Sequence, residues 1–183
     1  YANLIEGFLT SLSKELKDCE INFDIITDSN HTQIRHFNGK PNEFNKEDFA
    51  LVIANLLDKS FKGSKNVKIN FGDVIFNEIN GYNIAFIHGH QTMKQENDID
   101  YLNKIYGRNI DCVIKGHLHS FAVKSHNMIM TQDGYKQQFI ITSPAVCGNT
   151  DYAVRKGYSS IPGAIKVKIS GQGEVESINI IKL

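Results

Sequence analysis

Residues 114–120 read "IKGHLHS". The short run "DCVI", Asp111 to Ile114, enters this stretch as a buried strand should, and Lys115 and Gly116 close it. Two histidines follow, His117 and His119, with one residue between them. A second stretch has the same form: "AFIHGHQ", Ala85 to Gln91, ends an apolar run in His88 and His90. On extended backbone, residues two apart project to the same side. Each pair therefore presents two imidazoles together, and the glycine before His117 lets the backbone approach closely.

The chain has seven histidines. His31, in "SNHT", makes a third segment of this kind. Each segment follows an apolar run that ends as a strand does. A strand end delivers its next residues to one edge of a sheet, so three such ends side by side would gather these side chains. One histidine at a strand end is ordinarily a polar residue near the surface. Two pairs and an Asn-His are harder to assign to chance. Imidazole mixed with oxygen donors suits zinc, iron, manganese or nickel.

Length and composition set the frame. A chain of 183 residues can bury one sizeable core, so a single domain over 1–183 is expected. Twenty basic residues balance twenty acidic ones, which gives no global electrostatic case for nucleic acid or an acidic membrane surface. The densest basic run, Lys59, Lys62, Lys65 and Lys68, reads as a solvated helix end and loop. Cys19, Cys112 and Cys147 are scattered and odd in number, which argues against a disulfide framework and suits a reducing cytosol. No apolar run approaches a membrane span, and no signal peptide is visible, so the expected location is cytoplasmic.

Apolar spacing predicts an amphipathic helix over 2–18, carried by Leu4, Ile5, Phe8, Leu9, Leu12 and Leu16. A short strand follows over Ile21 to Thr27, then a polar loop from Asp28. Asn45 is placed to cap a helix over about 46–60. Asn80-Gly81 between two apolar runs predicts a hairpin. Thr92 should open a helix over about 93–106, ended by Gly107. After "GHLH" the pattern turns to strands: "FAVKSH", "NMIMT", "QQFIITS", "GAIKVKIS" and "EVESINII". Helix–strand alternation followed by consecutive strands predicts a layered α/β fold with a mixed or antiparallel sheet.

The ordered series "SNH", "HGH" and "GHLH" resembles the later motifs of the calcineurin-like metallophosphoesterases, and "NHTQIR" and "CGNTDYA" resemble a phage-type branch of that family. The resemblance implies a layered β-sandwich flanked by helices and a dinuclear centre of divalent metals, with Mn, Fe and Zn as candidates. It places Asn30, His88 and His117 on the second metal and His119 on the first. It makes His31 the catalytic histidine that stabilises the transition state and protonates the leaving oxygen. His90 has no fixed role in the family. Arg35, close after His31, is a candidate contact to a phosphate oxygen. In the intact enzyme two metals roughly 3.5–4 Å apart would neutralise the phosphate and turn water into a nucleophile near neutral pH.

The sequence also departs from the family. Nothing upstream of Asn30 supplies the D-x-H and G-D-x-x-D motifs, and Asp73 and "GNTD" (148–151) imitate family motifs only out of order. The chain is therefore expected to be the C-terminal part of a longer protein, truncated at the N-terminus of the fold and inactive alone. Ser29 stands where the family has Gly, and Thr32 where it has the acid that orients the catalytic histidine. The leading reading is a phosphoesterase acting on phosphomonoesters or phosphodiesters, with DNA or RNA as the leading substrate class. The alternative is a non-catalytic binding or assembly module on the same fold. A weaker third reading is a fragment holding one metal. An open sheet edge would favour a homo-oligomer.

Overall fold

The computed structural model describes residues 1–29, 32–34, 47–92, 97–131, 134–147, 151–155 and 161–183. It falls into two compact units, Tyr1–Ile75 and Phe76–Leu183.

In the first unit, helix α1 (Ala2–Glu15) precedes strand β1 (Ile21–Ile26); helix α2 (Phe49–Phe61) then leads to strand β2 (Val67–Gly72). β1 and β2 pair in parallel, with Ile21 opposite Val67 and Ile26 opposite Gly72. A parallel pair needs a crossover, and α2 provides it. Leu9 of α1, Leu57 of α2, and Val67 and Ile69 of β2 form the core. Ile5, Ile21, Phe23, Ile25, Ile53 and Phe61 pack around them.

Two helix boundaries differ from the sequence expectation. α1 stops at Glu15 rather than at 18, where Leu16 leaves helical geometry. α2 starts at Phe49, and its cap is Asp48, whose side chain accepts from the Ala50 N–H at 2.7 Å. Asn45, the expected cap, lies outside the described residues.

The second unit is built on a five-stranded mixed sheet in the order β3-β4-β5-β7-β6. Its strands are β3 (Val74–Ile79, which begins at the boundary), β4 (Tyr82–Ile87), β5 (Cys112–Lys115), β6 (Ala122–Thr131) and β7 (Gly134–Thr142). β4, β5 and β7 run parallel, so their C-terminal ends share one edge. β6 returns antiparallel to β7. The Asn80-Gly81 hairpin is as expected: φ is +51° and +77°, the two positive values that a type I′ turn requires.

One face of this sheet carries Tyr82, Ile84, Cys112 and Ile141. A separate antiparallel pair, β8 (Gly163–Ile169) and β9 (Val175–Lys182), lies over it through Ile165, Val167, Ile169, Val175 and Ile178. Helix α3 (Asp98–Tyr106) packs against β5 and buries Ile99 and Leu102. It is capped by Asn97 and ends at Gly107 with φ +61°, as a left-handed C-cap should. Thr92 is not its cap. A short helix α4 (Asp151–Arg155), not anticipated from the sequence, precedes β8. The layered α/β class is as expected. Among the described residues no helix is long and apolar enough to cross a membrane.

Gly173 in the β8–β9 turn sits against the β3–β4 turn: φ is +74°, and a Cβ there would overlap the Asn80 carbonyl. Asn80 in turn donates its side-chain amide to the Ser170 carbonyl at 2.8 Å. Gly173→Ala is expected to cost roughly 3 kcal/mol, through backbone strain and the lost turn–turn contact. Thermal unfolding should show a midpoint lowered by about 6–12 °C.

Burial, and then the Asp111 carboxylate beside it, pushes the Cys112 thiol up from 9.0 to about 12. The thiol is therefore neutral at pH 7 in the fold, whereas Cys19 and Cys147 are exposed. A thiol reagent should titrate two cysteines in the native protein and the third only after unfolding. Since the folded value lies above the unfolded one, this contribution to stability is full below pH 9 and lost as pH rises toward 12.

Candidate functional site

The site begins with register. Ile87, the last residue of β4, pairs with Lys115, the last residue of β5. Both histidine segments therefore leave the sheet at one level. The ladder continues one step beyond the strands, where the Gly116 N–H donates to the His88 carbonyl at 3.1 Å. This pins the "HGH" loop beside the "GHLH" loop.

Glycine makes the approach possible. Gly89 has φ +110°, and a Cβ there would lie 3.2 Å from the Gly116 carbonyl oxygen and 3.4 Å from the Cβ atoms of His117 and Lys115. Its N–H donates to the Gln91 side chain at 3.0 Å. In the facing loop, the Leu118 N–H donates back to the Gly116 carbonyl at 2.8 Å, closing a three-residue turn around His117. His117 itself has φ +64° and His119 φ +53°. Left-handed backbone at two non-glycine residues in one loop is strain of order 1 kcal/mol or more at each. Such strain persists only where surrounding structure enforces it.

The result is an imidazole cluster. His88 Nε2 and His117 Nδ1 lie 3.1 Å apart. The His88 ring centroid is 5.0 Å from that of His117 and 5.4 Å from that of His90. The His90 and His117 centroids are 6.2 Å apart. The Nδ1 atoms of His90 and His119 are both shielded from solvent. Beside the cluster, Lys115 forms an ion pair with Asp98, which is 4% exposed in the first turn of α3.

The sequence reading expected His88 and His117 to share a ligand sphere, and the fold brings these two together. A nitrogen–nitrogen separation of 3.1 Å suits two ligands each about 2.1 Å from one ion. Without an ion, the same separation is a hydrogen bond that holds one proton between the rings. Neutral imidazoles are sound donors for the metals considered, so the donor set fits. Among the described residues, no three His, Cys, Asp or Glu side chains are grouped as ligands of one ion. Asn30, His31 and Arg35 lie outside the described residues.

In the first unit, Thr32 is described. Its hydroxyl donates to Asp48 Oδ2 at 2.8 Å, and Asp48 is buried. The residue at the family's acid position is thus hydrogen-bonded to a carboxylate 16 residues further along the chain. Sequence reasoning missed this, as it missed the Lys115–Asp98 pair and the strand end of β7. There the Ser143 N–H donates to the Lys115 carbonyl at 2.7 Å, bringing the segment after Thr142 to the same sheet edge. The apolar run "FIIT" before Ser143 was the signal available.

Gly89→Ala is expected to force the two loops apart. Ring-nitrogen NMR should show the His88 and His117 signals losing their mutual hydrogen bond, with stability reduced by about 1–2 kcal/mol.

No protein-family model matches the chain. A curated protein, the uncharacterised SPbeta prophage-derived YonJ of Bacillus subtilis, is 24% identical over 179 residues. That match covers 96% of this chain, which spans 42% of the relative's length. Similar solved structures include a double mutant of Vps29 from Entamoeba histolytica (14% identity, TM-score 0.43, covering 90% of this chain and 97% of that one). An archaeal phosphodiesterase (16%, TM-score 0.39) covers 80% of this chain and 67% of its own. A predicted phosphoesterase of Streptococcus pneumoniae (11%, TM-score 0.31) covers 66% and 68%. By their names these structural neighbours are Vps29, a phosphodiesterase and a predicted phosphoesterase.

Proposed function

We propose that this chain supplies the histidine-bearing part of a divalent-metal-dependent phosphoesterase that cleaves phosphomonoester or phosphodiester bonds in the cytoplasm. The observation that supports it most is the meeting of His88 Nε2 and His117 Nδ1 across two parallel strand ends. In this reading His88 and His117 hold one ion of Mn, Fe or Zn. Asn30 is a further ligand of that ion, and His119 belongs to a second. Divalent ions bound there would supply charge neutralisation and activate water near neutral pH.

The chain's own residues do the rest. To ligate through the facing nitrogens, the ring that donates the His88–His117 hydrogen bond would carry its proton on its other nitrogen, and any protonated imidazole would have to release one, so affinity rises with pH. The Gly116-to-His88 backbone bond holds both rings in place before binding. His31 is the proton donor to the leaving oxygen, and Arg35 offers a planar fork to phosphate oxygens. The prophage origin of the relative supports a phage-type role, and nucleic acid is the leading substrate class in this reading. The neutral net charge adds nothing to that choice.

Calorimetry with Mn²⁺ should find binding that strengthens with pH and is at least tenfold weaker in His88→Ala and His117→Ala. The full-length protein with Mn²⁺ should release p-nitrophenol from bis-p-nitrophenyl phosphate and cleave a DNA or RNA oligonucleotide. A folded, metal-loaded protein that hydrolyses neither would overturn the catalytic reading. The second reading, a non-catalytic module, draws on Thr32, whose hydroxyl proton is directed to Asp48. It predicts unimpaired metal binding with no turnover.

A further inference from the structure

β6 is the longest strand, ten residues, and it closes one side of the five-stranded sheet. Among the described residues it pairs only with β7. Exposed edges of this kind are ordinarily kept short or guarded by charge, proline or a bulge. The first half of β6 has such guards: Lys124, and a register shift between Ser125 and Met128. The segment beyond the bulge has none. It holds no proline and no charged residue from Asn127 to Thr131, yet it is strongly apolar. Met128 is 64% exposed, Met130 74%, and Tyr135, directly opposite Met130 on β7, 64%. These three share one face of the hairpin, since residues two apart on a strand and direct cross-strand partners point the same way. Ile129, 39% exposed, lies on the other face opposite Lys136, which is engaged by Asp111.

We propose that this edge pairs with the same edge of a second copy of the chain, antiparallel and about a twofold axis through Ile129. The register argues for this occupant. An antiparallel pairing centred on Ile129 sets Met128 of each copy opposite Met130 of the other. Four methionines and two tyrosines then form one apolar cluster, and the two Ile129 side chains meet on the reverse face. A shift of one residue would place Met130 against Ile129 and break up the cluster. Charge permits it as well. In this register the two Lys124 side chains lie ten positions apart, roughly 30 Å, so no like charges face one another. A twofold contact of one surface with itself is the commonest way a chain closes an oligomer. Two-thirds-exposed side chains of this size offer on the order of 100 Å² each, and with the strand backbone the two copies bury on the order of 1,000 Å². That is the lower end for a specific interface, and flexible methionines suit a surface that must adapt to its own copy.

Sedimentation velocity of the 183-residue chain from 1 to 200 µM tests the proposal. A monomer–dimer equilibrium with a Kd on the order of 10 µM is expected. In Met130→Lys and, independently, Met128→Glu, association should weaken at least 20-fold with unchanged far-UV circular dichroism and unfolding midpoint. Both side chains point to solvent, so neither change should disturb the fold. A wild-type chain that stays monomeric over the whole range overturns the proposal. So does a dimer of undiminished affinity in the two variants, which would place the contact elsewhere.

Discussion

The candidate site depends on one hydrogen bond, from the Gly116 N–H to the His88 carbonyl. It extends the β4–β5 ladder one residue past the strands and converts a sheet register into a side-chain geometry. Without it, two loops would leave a sheet edge in independent directions, and the ordering entropy of each would oppose their meeting. With it, the freedom left is small enough that Gly89 must be glycine and His117 must take a left-handed backbone. The strain has to be offset by what lies beneath. There Ala85 and Val113 are fully buried and Ile84 nearly so, which fixes the two strands against sliding.

The ion pair of Lys115 with Asp98 works at the same place by other means. Asp98 sits in the first turn of α3, where the free N–H groups favour a carboxylate, and it is almost wholly buried. A buried pair of this kind adds little net stability compared with apolar residues, but loss of either member leaves an uncompensated charge. Its effect is therefore one of position: the last residue of β5 is tied to α3, one residue before the strained turn begins. Backbone pairing on one side and a buried charge on the other define where Gly116 and His117 stand.

What could be read from the sequence was what is local. The Asn80-Gly81 turn, the left-handed Gly107 and the strand-end position of both H-x-H pairs follow from residues within a few positions of one another. What could not be read involves distance along the chain. Asp98 and Lys115 are 17 residues apart, and Thr32 and Asp48 are 16. The helix caps failed for a related reason. Asn45, Asp48, Thr92 and Asn97 are all chemically able to cap, and only the packing of each helix on its sheet selects which does so. "FAVKSH" and "NMIMT" looked like two runs because the bulge at their junction interrupts the alternation; they are one strand.

Asp48 bears on the most serious departure from the family pattern. A threonine where an acid is expected looks like the loss of a charge needed to steady a histidine. Yet the Thr32 hydroxyl points its proton at a buried carboxylate. A hydroxyl that donates to an anion in a poorly solvated setting is polarised, and its oxygen becomes a stronger acceptor toward any neighbouring N–H. Asp48 also caps α2 through its other oxygen, so its negative charge is shared with a helix N-terminus. The two oxygens thus serve different donors, the Thr32 hydroxyl and the Ala50 N–H. An imidazole that met this hydroxyl would be oriented much as by a direct carboxylate, but its protonated ring would be stabilised less. A histidine held in this way would be well placed as a hydrogen-bond donor and weaker as a store of positive charge.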